Sequence, residues 1–317
     1  MKIDVHQHLW TEPFLDELSR RRELPFARTE RGLTVLYIAG ERPYVIDRET
    51  EQPACRAELV ERDGLDRALL CLSSPIGIER LAREHAAPLL DAYLGGALSL
   101  GGPFGVWGAI ALDRPDPRDV DRALDRGCVG ISLPAGAIAS TEALAALHGV
   151  LERLERRGAP LFVHPGPGRE PRGSTGARTF DCSLSDPLWW LALTRYVADL
   201  QAAWLAFRSA GRAAHPELRV VFSMLAGLAP LQGERLRSRG GPSELTPDPL
   251  VFYETSSYGA RALGALEALV GADQILYGSD RPVVEPGDHD MPACLDWGPV
   301  IEASRRALGA PRIAVSA

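Results

Sequence analysis

The chain has 317 residues, 45% of them hydrophobic, so it can bury a large core. Its net charge of −7 and its pI near 5.6 argue against binding to nucleic acid or a membrane surface, because no basic field attracts phosphate. The five cysteines are widely spaced and form no Cys-x-x-Cys motif; with no signal peptide or membrane-length apolar run, they predict free thiols in a soluble, cytoplasmic protein.

The first predicted strand begins almost at once and runs into His6-x-His8. Residues two apart on a strand share a face, so both imidazoles lie side by side at the tip of this strand. Neutral imidazole binds transition metals, which makes the pair a candidate metal site. Two histidines at this spacing also arise by chance, so the pair needs support from the rest of the chain.

A long segment, residues 11–55, follows the first strand. In a barrel it would lie over the catalytic face, because it follows the carboxyl end of a strand. A lid or substrate loop and a solvated surface insertion are both open alternatives for it.

Seven more apolar runs read as buried strands, and helical patterns at 79–94, 141–157 and 260–270 lie between some of them. The strands are predicted at 67–72, 106–112, 128–133, 160–164, 218–223, 250–254 and 274–278. Eight alternations predict a (β/α)₈ TIM barrel, and no Gly-x-Gly-x-x-Gly follows a strand to favour a doubly wound sheet. No repeat or linker divides the chain, so we expect a single domain over 1–317.

A second insertion follows strand five and continues as a long helix predicted at 187–211. Apolar residues recur on that helix at steps of three or four. This stripe is typical of core or of subunit contact, so a homodimer is one expectation. Its members are Trp189, Leu193, Tyr196, Leu200, Trp204 and Phe207.

Two more potential ligands end predicted strands: His164 ends strand five and Asp280 follows strand eight. Strand carboxyl ends converge on one face of a barrel, so both would meet the first histidine pair there. Three imidazoles and a carboxylate suit Zn²⁺ or a similar divalent ion. Each residue alone has a structural alternative, a helix N-cap for the aspartate and a turn for the histidine.

Three segments together resemble the amidohydrolase superfamily: Asp4-Val-His-Gln-His8, Phe162-Val-His-Pro-Gly166 and Tyr277-Gly-Ser-Asp-Arg-Pro282. Within it, the chain resembles the amidohydrolase-related group of aminocarboxymuconate-semialdehyde decarboxylase, aromatic-acid decarboxylases and pyrone-dicarboxylate lactonase. The resemblance implies a distorted (β/α)₈ barrel whose metal is bound by His6, His8, His164 and Asp280. It does not identify the substrate, because one such barrel hosts many reactions.

The chain departs from this family after strand six, where Met224 stands at the position of an expected histidine. A thioether cannot transfer a proton, so another base is needed. Asp280 is the first candidate and His289, on the loop after strand eight, is the second. Lys2 is the only lysine and lies at the wrong end of strand one for a carboxylated-lysine bridge. We therefore expect one divalent ion, with Zn²⁺ as the first expectation.

Five residues are candidates for holding substrate, since each follows or ends a strand at the predicted catalytic face. Arg281 could pair with a carboxylate, or could form a structural ion pair instead. The other four are Trp10, Met224, Glu254 and Tyr258.

The sequence therefore predicts a mononuclear metal-dependent hydrolase of a small cyclic or carboxylated substrate, such as a lactone or amide. Non-oxidative decarboxylation of a small unsaturated or aromatic acid is the first alternative. A degenerate barrel that binds a ligand without turnover is the second, and the four retained ligands argue against it. The expected partner is a small molecule.

Overall fold

The first part of the chain forms one strand and the insertion that follows it. The computed structural model describes residues 1–168, 186–187, 189–241, 247–286 and 295–309. Strand β1 (Ile3–Gln7) is buried at every position. The insertion forms α1 (Glu12–Arg20) and a three-stranded antiparallel sheet, followed by α2 (Pro53–Arg62). That sheet consists of β2 (Phe26–Glu30), β3 (Leu33–Tyr37) and β4 (Tyr44–Ile46).

The remaining described chain alternates strands and helices, as the apolar runs predict. The strands are β5 (Arg67–Leu70), β6 (Phe104–Val106), β7 (Ile131–Pro134), β8 (Leu161–His164), β9 (Val220–Phe222), β10 (Val251–Glu254) and β11 (Ile275–Leu276). The helices are α3 (Arg83–Ser99), α4 (Pro117–Asp125), α5 (Thr141–Ala146), α6 (His148–Arg156), α7 (Trp190–Leu193), α8 (Arg195–Ala206), α9 (Arg212–Ala214), α10 (Gly233–Ser238), α11 (Ala260–Val270) and α12 (Trp297–Leu308).

Eight parallel strands, β1 and β5 to β11, form a closed ring. The hydrogen-bonded orders β1-β5-β6 and β11-β10-β9-β8-β7 make two arcs. At one seam Val5 N–H donates to the Tyr277 carbonyl at 2.9 Å; at the other, Gly108 N–H donates to the Gly130 carbonyl at the same distance. The predicted (β/α)₈ barrel is therefore confirmed, because backbone hydrogen bonds join both ends of each arc.

Two predicted helices differ from the structure. The helix predicted at 141–157 is split at Leu147 into α5 and α6. The helix predicted at 187–211 is broken at Thr194, which has φ −114° and ψ −82°, outside helical values. The apolar stripe predicted for this helix is buried only in part: Trp204 is buried, whereas Leu193 is 64% exposed. Hydrophobic periodicity alone does not report such backbone breaks.

The barrel interior is filled by an apolar cluster distinct from the larger one between the strands and the helices. Trp107 crosses the interior, stacking on Phe162 at 5.1 Å between ring centroids, and its Nε1–H donates to the Val5 carbonyl at 2.9 Å. The ring is therefore a packed core, and chemistry is confined to its ends. Among the described residues, no helix is long and apolar enough to span a bilayer.

Candidate metal centre

Strand β1 brings His6 and His8 to the carboxyl end of the barrel, where both are almost completely buried. The register of β1 against β5 shifts between Asp4 and Gln7. Asp4 accepts hydrogen bonds from His6 N–H at 3.0 Å and from Ser279 N–H at 3.1 Å. This buried carboxyl group therefore ties the first strand to the loop after the last one.

Each of the three site histidines has its Nδ1 atom next to a hydrogen-bond acceptor. Nδ1–H of His6 donates to Glu254 at 3.0 Å, that of His8 to the Cys71 carbonyl at 2.9 Å, and that of His164 to the Pro165 carbonyl at 2.7 Å. These acceptors fix the tautomer of each ring, so that the Nε2 lone pairs are available. Such outer partners are the usual way of orienting a metal-binding histidine.

The Nε2 atoms converge on one point beside Asp280. His8 Nε2 lies 3.3 Å from His164 Nε2, and Asp280 Oδ1 lies 3.0 Å from His8 Nε2 and 3.3 Å from His6 Nε2. Four ligands around a tetrahedral Zn²⁺ at 2.0–2.1 Å are separated by about 3.3 Å. The Nε2 atom of His6 is buried and has no hydrogen-bond partner. These residues therefore fit a single divalent ion, which would offset the repulsion between their lone pairs.

The charges in the centre favour a neutral His164 and an ionised Asp280. They act differently on His6: burial lowers its pKa, but the nearby Cys71, Asp280 and Glu254 outweigh burial and raise that pKa well above its usual value. Burial lowers the pKa of His164 well below its usual value, and the nearby His6 and His8 lower it further, so this ring is neutral. Burial by itself would raise the pKa of Asp280, but His6 and His8 outweigh it and hold that pKa below its usual value. Asp280 is therefore ionised at neutral pH, and 13% of its side chain is exposed.

Glu254 was a predicted substrate contact, and the structure gives it a different position. It is fully buried, and its Oε2 atom accepts hydrogen bonds from His6 Nδ1–H, from Ser256 Oγ–H at 2.9 Å and from Met224 N–H at 3.2 Å. Gly278 lies so close that an added Cβ would overlap the Glu254 carboxylate. Because internal donors occupy this carboxylate, it orients His6 and has no capacity left for substrate.

Arg281 forms structural ion pairs, the second of the two alternatives that the sequence left open. Its guanidinium pairs with Asp63 and, at 2.9 Å, with Glu285, and only 5% of the residue is exposed. Two carboxylates of the protein therefore compensate the charge of Arg281, and its role in binding substrate stays a prediction. Its backbone still serves the site, since the Arg281 carbonyl accepts from His8 N–H at 2.7 Å.

Trp10 and the insertion form an aromatic group beside the centre. The Trp10 ring stacks on His8 with centroids 6.0 Å apart, and Tyr44 of β4 lies 6.0 Å from Trp10. Burial raises the pKa of Tyr44 to about 12, and the charges of Glu51 and Asp280 contribute to the shift. Tyr44 therefore lies within electrostatic reach of Asp280, so the insertion borders the catalytic end.

The remaining predicted site residues are Met224, Tyr258 and His289. Met224 follows β9 with φ +50°. Its backbone N–H donates to Glu254, the carboxylate that also accepts from His6, so Met224 borders the centre. Its side chain packs in the larger apolar cluster. Tyr258 is half-buried and packs against the same cluster. His289 lies outside the described residues.

Sequence reasoning missed two residues that the barrel brings to the centre. Cys71 follows β5 at the same level as the histidines, and the only signal for it was its position at a strand end. Arg56 of α2 is buried and donates to the His8 carbonyl at 3.0 Å and to Gln7 Oε1 at 2.7 Å. A buried arginine 48 residues away gives no such signal in the sequence.

A family model described as amidohydrolase matches residues 3–303. The chain belongs to the amidohydrolase family. This match confirms the resemblance carried by the three motifs at the ends of strands one, five and eight. In this structure, the same strand ends contribute His6, His8, His164 and Asp280 to the cluster described above.

Several solved structures are similar to this amidohydrolase. IDCase of Metarhizium anisopliae in apo form has 17% sequence identity and a TM-score of 0.70, and the match covers 96% of this chain and 90% of that chain. The 2,6-dihydroxybenzoate decarboxylase from Rhizobium has 16% identity and a TM-score of 0.66, with 97% of this chain and 98% of that chain covered. The 5-carboxyvanillate decarboxylase from Novosphingobium aromaticivorans, complexed with manganese and 4-hydroxy-3-methoxy-5-nitrobenzoic acid, has 18% identity and a TM-score of 0.58, with 72% of this chain and 69% of that chain covered. Identities this low show a shared fold. A comparison with curated proteins finds no match by sequence.

Proposed function

We propose that this amidohydrolase-family protein is a metal-dependent decarboxylase of small aromatic or unsaturated carboxylic acids. The observation that carries the proposal is the convergence of three histidine Nε2 atoms on the ionised Asp280 carboxylate. Two of the similar structures are named as decarboxylases, which supports this reaction over the hydrolysis that the sequence first suggested.

Among the described residues, Asp280 is the proton-transfer group that faces the metal position, and this also favours decarboxylation. Hydrolysis of an amide needs a base for water and an acid for the leaving group. Met224 replaces the histidine that would share this work, and Glu254 is occupied by internal donors. Decarboxylation needs one proton delivered to carbon, which Asp280 by itself can relay from the substrate.

His6, His8, His164 and Asp280 would hold the ion, and Zn²⁺ and Mn²⁺ are both compatible with imidazole and carboxylate ligands. When bound, a divalent ion supplies Lewis-acid attraction for the oxygens of an anionic substrate. The similar 5-carboxyvanillate decarboxylase was crystallised with manganese, which supports a divalent ion here.

The proposed reaction balances around a substrate that carries a hydroxyl beside its carboxylate. Ionised Asp280 takes the proton of that hydroxyl and returns it to the adjacent ring carbon. The bond from that carbon to the carboxylate breaks, its electron pair returns to the ring and restores its aromaticity, CO₂ leaves, and the product leaves as the phenolate. Tyr44, which is half-buried and lies against the buried Trp10, provides an aromatic face against which a flat ring can stack.

The test is a substrate panel on protein reconstituted separately with Zn²⁺ and with Mn²⁺. We expect CO₂ release from hydroxylated benzoates such as 2,6-dihydroxybenzoate or 5-carboxyvanillate, and no turnover after chelation. Lactones and amides are assayed in parallel as the hydrolase alternative. Metal-dependent ring opening or amide cleavage without CO₂ release from any acid would overturn the decarboxylase proposal.

A further inference from the structure

Arg56 is a buried arginine beside the segment that carries His6 and His8. It lies on α2, directly after the insertion, and only 2% of it is exposed. A buried charge is costly unless it is paired and hydrogen-bonded, so the partners of this guanidinium indicate what it does.

The guanidinium of Arg56 connects the insertion to the end of β1. Its Nη1–H groups donate to the His8 carbonyl and to Glu51 Oε2, both at 3.0 Å. Nη2–H donates to Gln7 Oε1 at 2.7 Å. Glu51 belongs to the insertion and is itself buried. One planar fork of donors therefore binds two consecutive residues of the metal-binding segment and one carboxylate of the insertion.

His8 lies just beyond the end of β1, where regular strand pairing no longer holds it. Its N–H donates to the Arg281 carbonyl at 2.7 Å, and its Nδ1–H donates to the Cys71 carbonyl at 2.9 Å. Arg56 binds the carbonyl of the same residue. Contacts from three different parts of the chain thus fix the backbone and the ring of His8, whose Nε2 atom faces the metal position.

The network continues from Gln7 to the other histidine of the pair. Gln7 Nε2–H donates to Asp4 Oδ2 at 2.7 Å. Oδ1 of the same carboxylate accepts from His6 N–H at 3.0 Å and from Ser279 N–H at 3.1 Å. The hydrogen bonds that begin in the insertion therefore reach the backbone of His6 and that of the residue before Asp280.

We propose that Arg56 is a positioning residue of the metal centre, and that its ion pair with Glu51 makes the insertion part of the metal-binding apparatus. The inference rests on the proposed metal-dependent function. It gives a role to the segment after strand one, for which the sequence left a lid and a surface insertion as alternatives. Arg56 acts through His8 and Gln7, by keeping the segment in the arrangement that directs the histidine Nε2 atoms to one point.

A purely structural role for this ion pair makes a different prediction. Removing one partner of a buried pair leaves the other charge uncompensated, whereas removing both restores neutrality. Glu51→Gln/Arg56→Met makes the double change. If Arg56 only neutralises Glu51, this variant should bind metal as the wild type does. If Arg56 positions His8, the affinity should stay low although the variant is folded.

The test is titration of the metal-free full-length protein with Co²⁺ in competition with a chromophoric chelator. We expect the wild type to bind about one equivalent. In Arg56→Met and in Glu51→Gln/Arg56→Met the affinity should fall about 10–100-fold, the usual range when an outer partner of a ligand is lost. The visible d–d bands of Co²⁺ should also change, because they report the arrangement of the ligands.

Two further variants sharpen the measurement. Arg56→Lys should lose part of the affinity, since an ammonium can pair with Glu51 but lacks the planar fork of donors. Arg212→Met is the matched control. It removes an arginine on α9 that pairs with a buried aspartate and binds three backbone carbonyls outside the metal centre, and it should keep the wild-type affinity and spectrum.

The outcomes separate this inference from the proposed function. Circular dichroism checks that each variant is folded. A folded double variant with the wild-type affinity and spectrum would overturn the positioning role of Arg56 and leave the metal centre intact. Failure of the wild type to bind Co²⁺ would reject the metal centre, and with it both the proposed function and this inference. If the double variant does not fold, Arg56→Lys decides, and wild-type affinity in that variant would equally overturn the proposal.

Discussion

Two groups of histidines in this molecule pack their rings at the same separation, and only one resembles a metal centre. His6 and His164 have ring centroids 4.9 Å apart at the carboxyl end of the barrel. His148 and His215 have centroids 4.9 Å apart beside α5 and α6. Ring proximity is therefore no measure of metal binding.

The difference lies in what fixes each ring. In the centre, every Nδ1–H has an acceptor and the opposite nitrogens point at one another and at Asp280. In the outer pair, His215 Nδ1 has no hydrogen-bond partner, and its nearest carboxylate, Glu155, is 3.6 Å away, too far for a hydrogen bond. His148 is exposed. Oriented lone pairs, rather than the number of imidazoles, distinguish the centre from the outer pair.

The largest expected effect is on metal content. His6→Ala/His8→Ala should lose the bound ion, which we expect at about one equivalent per wild-type chain, because three protein ligands are the usual minimum of a catalytic site. Elemental analysis after dialysis measures the content. His148→Ala/His215→Gln is the matched control and should keep its metal. Equal metal in the first variant and the wild type would remove the distinction between the two groups.

The next effect is on turnover. Asp280→Asn keeps the shape of the side chain and removes its charge and most of its basicity, so the rate on a substrate found in the panel should fall roughly 10²-fold or more. Asp125→Asn, in an exposed ion pair with Arg157, should leave the rate unchanged. Circular dichroism and metal analysis check that both variants are folded and loaded. A near-normal rate in loaded Asp280→Asn would transfer the base role to another group, with His289 first.

A smaller effect is expected on affinity. Glu254→Gln preserves the size of the group that orients His6 and removes its negative charge, so affinity for Zn²⁺ should fall about 10–100-fold, the usual range for such outer partners. Glu155→Gln makes the same change beside His215 and should not alter the affinity. Competition with a chromophoric chelator measures both. Equal affinities for the two variants would show that Glu254 is not a positioning residue.

The smallest effect is on stability in acid. Burial lowers the pKa of His215, His148 lowers it further, and Glu155 and Glu152 oppose them. The unfolded chain therefore binds this proton more readily than the folded one, so stability is lost as pH falls through the ordinary histidine value of about 6.5. His148→Ala should reduce this loss. Urea unfolding of both metal-free proteins between about pH 7.5 and about pH 5.5 tests it, and parallel curves would contradict it.

The fold was largely predictable because its signals are local. Strands buried on both faces read as apolar runs, and all eight predicted barrel strands occur near their expected residues. The two helix predictions were less accurate, because the breaks at Leu147 and Thr194 leave the apolar periodicity intact. The three-stranded sheet of the insertion was not predicted, since its strands are short and mixed in polarity.

The candidate site was predictable in part. The sequence predicted one cluster for four residues, because each ends or follows a strand and a barrel brings the strand ends to one face. They are His6, His8, His164 and Asp280. Glu254 and Arg281 end strands as well, and nothing in the sequence distinguishes a residue that faces substrate from one already paired inside the protein. Their partners, His6 and Asp63, are 248 and 218 residues away.

The sequence by itself therefore determined the strand order, the family and the residues that meet at the carboxyl end of the barrel. Only the tertiary structure decided which of these side chains still have a free lone pair or charge. That property depends on hydrogen-bond partners from distant strands, as with Glu254 for His6, and on burial, as with Cys71 beside the histidines. Local sequence patterns carry no information about either, because both arise only when the ring of strands closes.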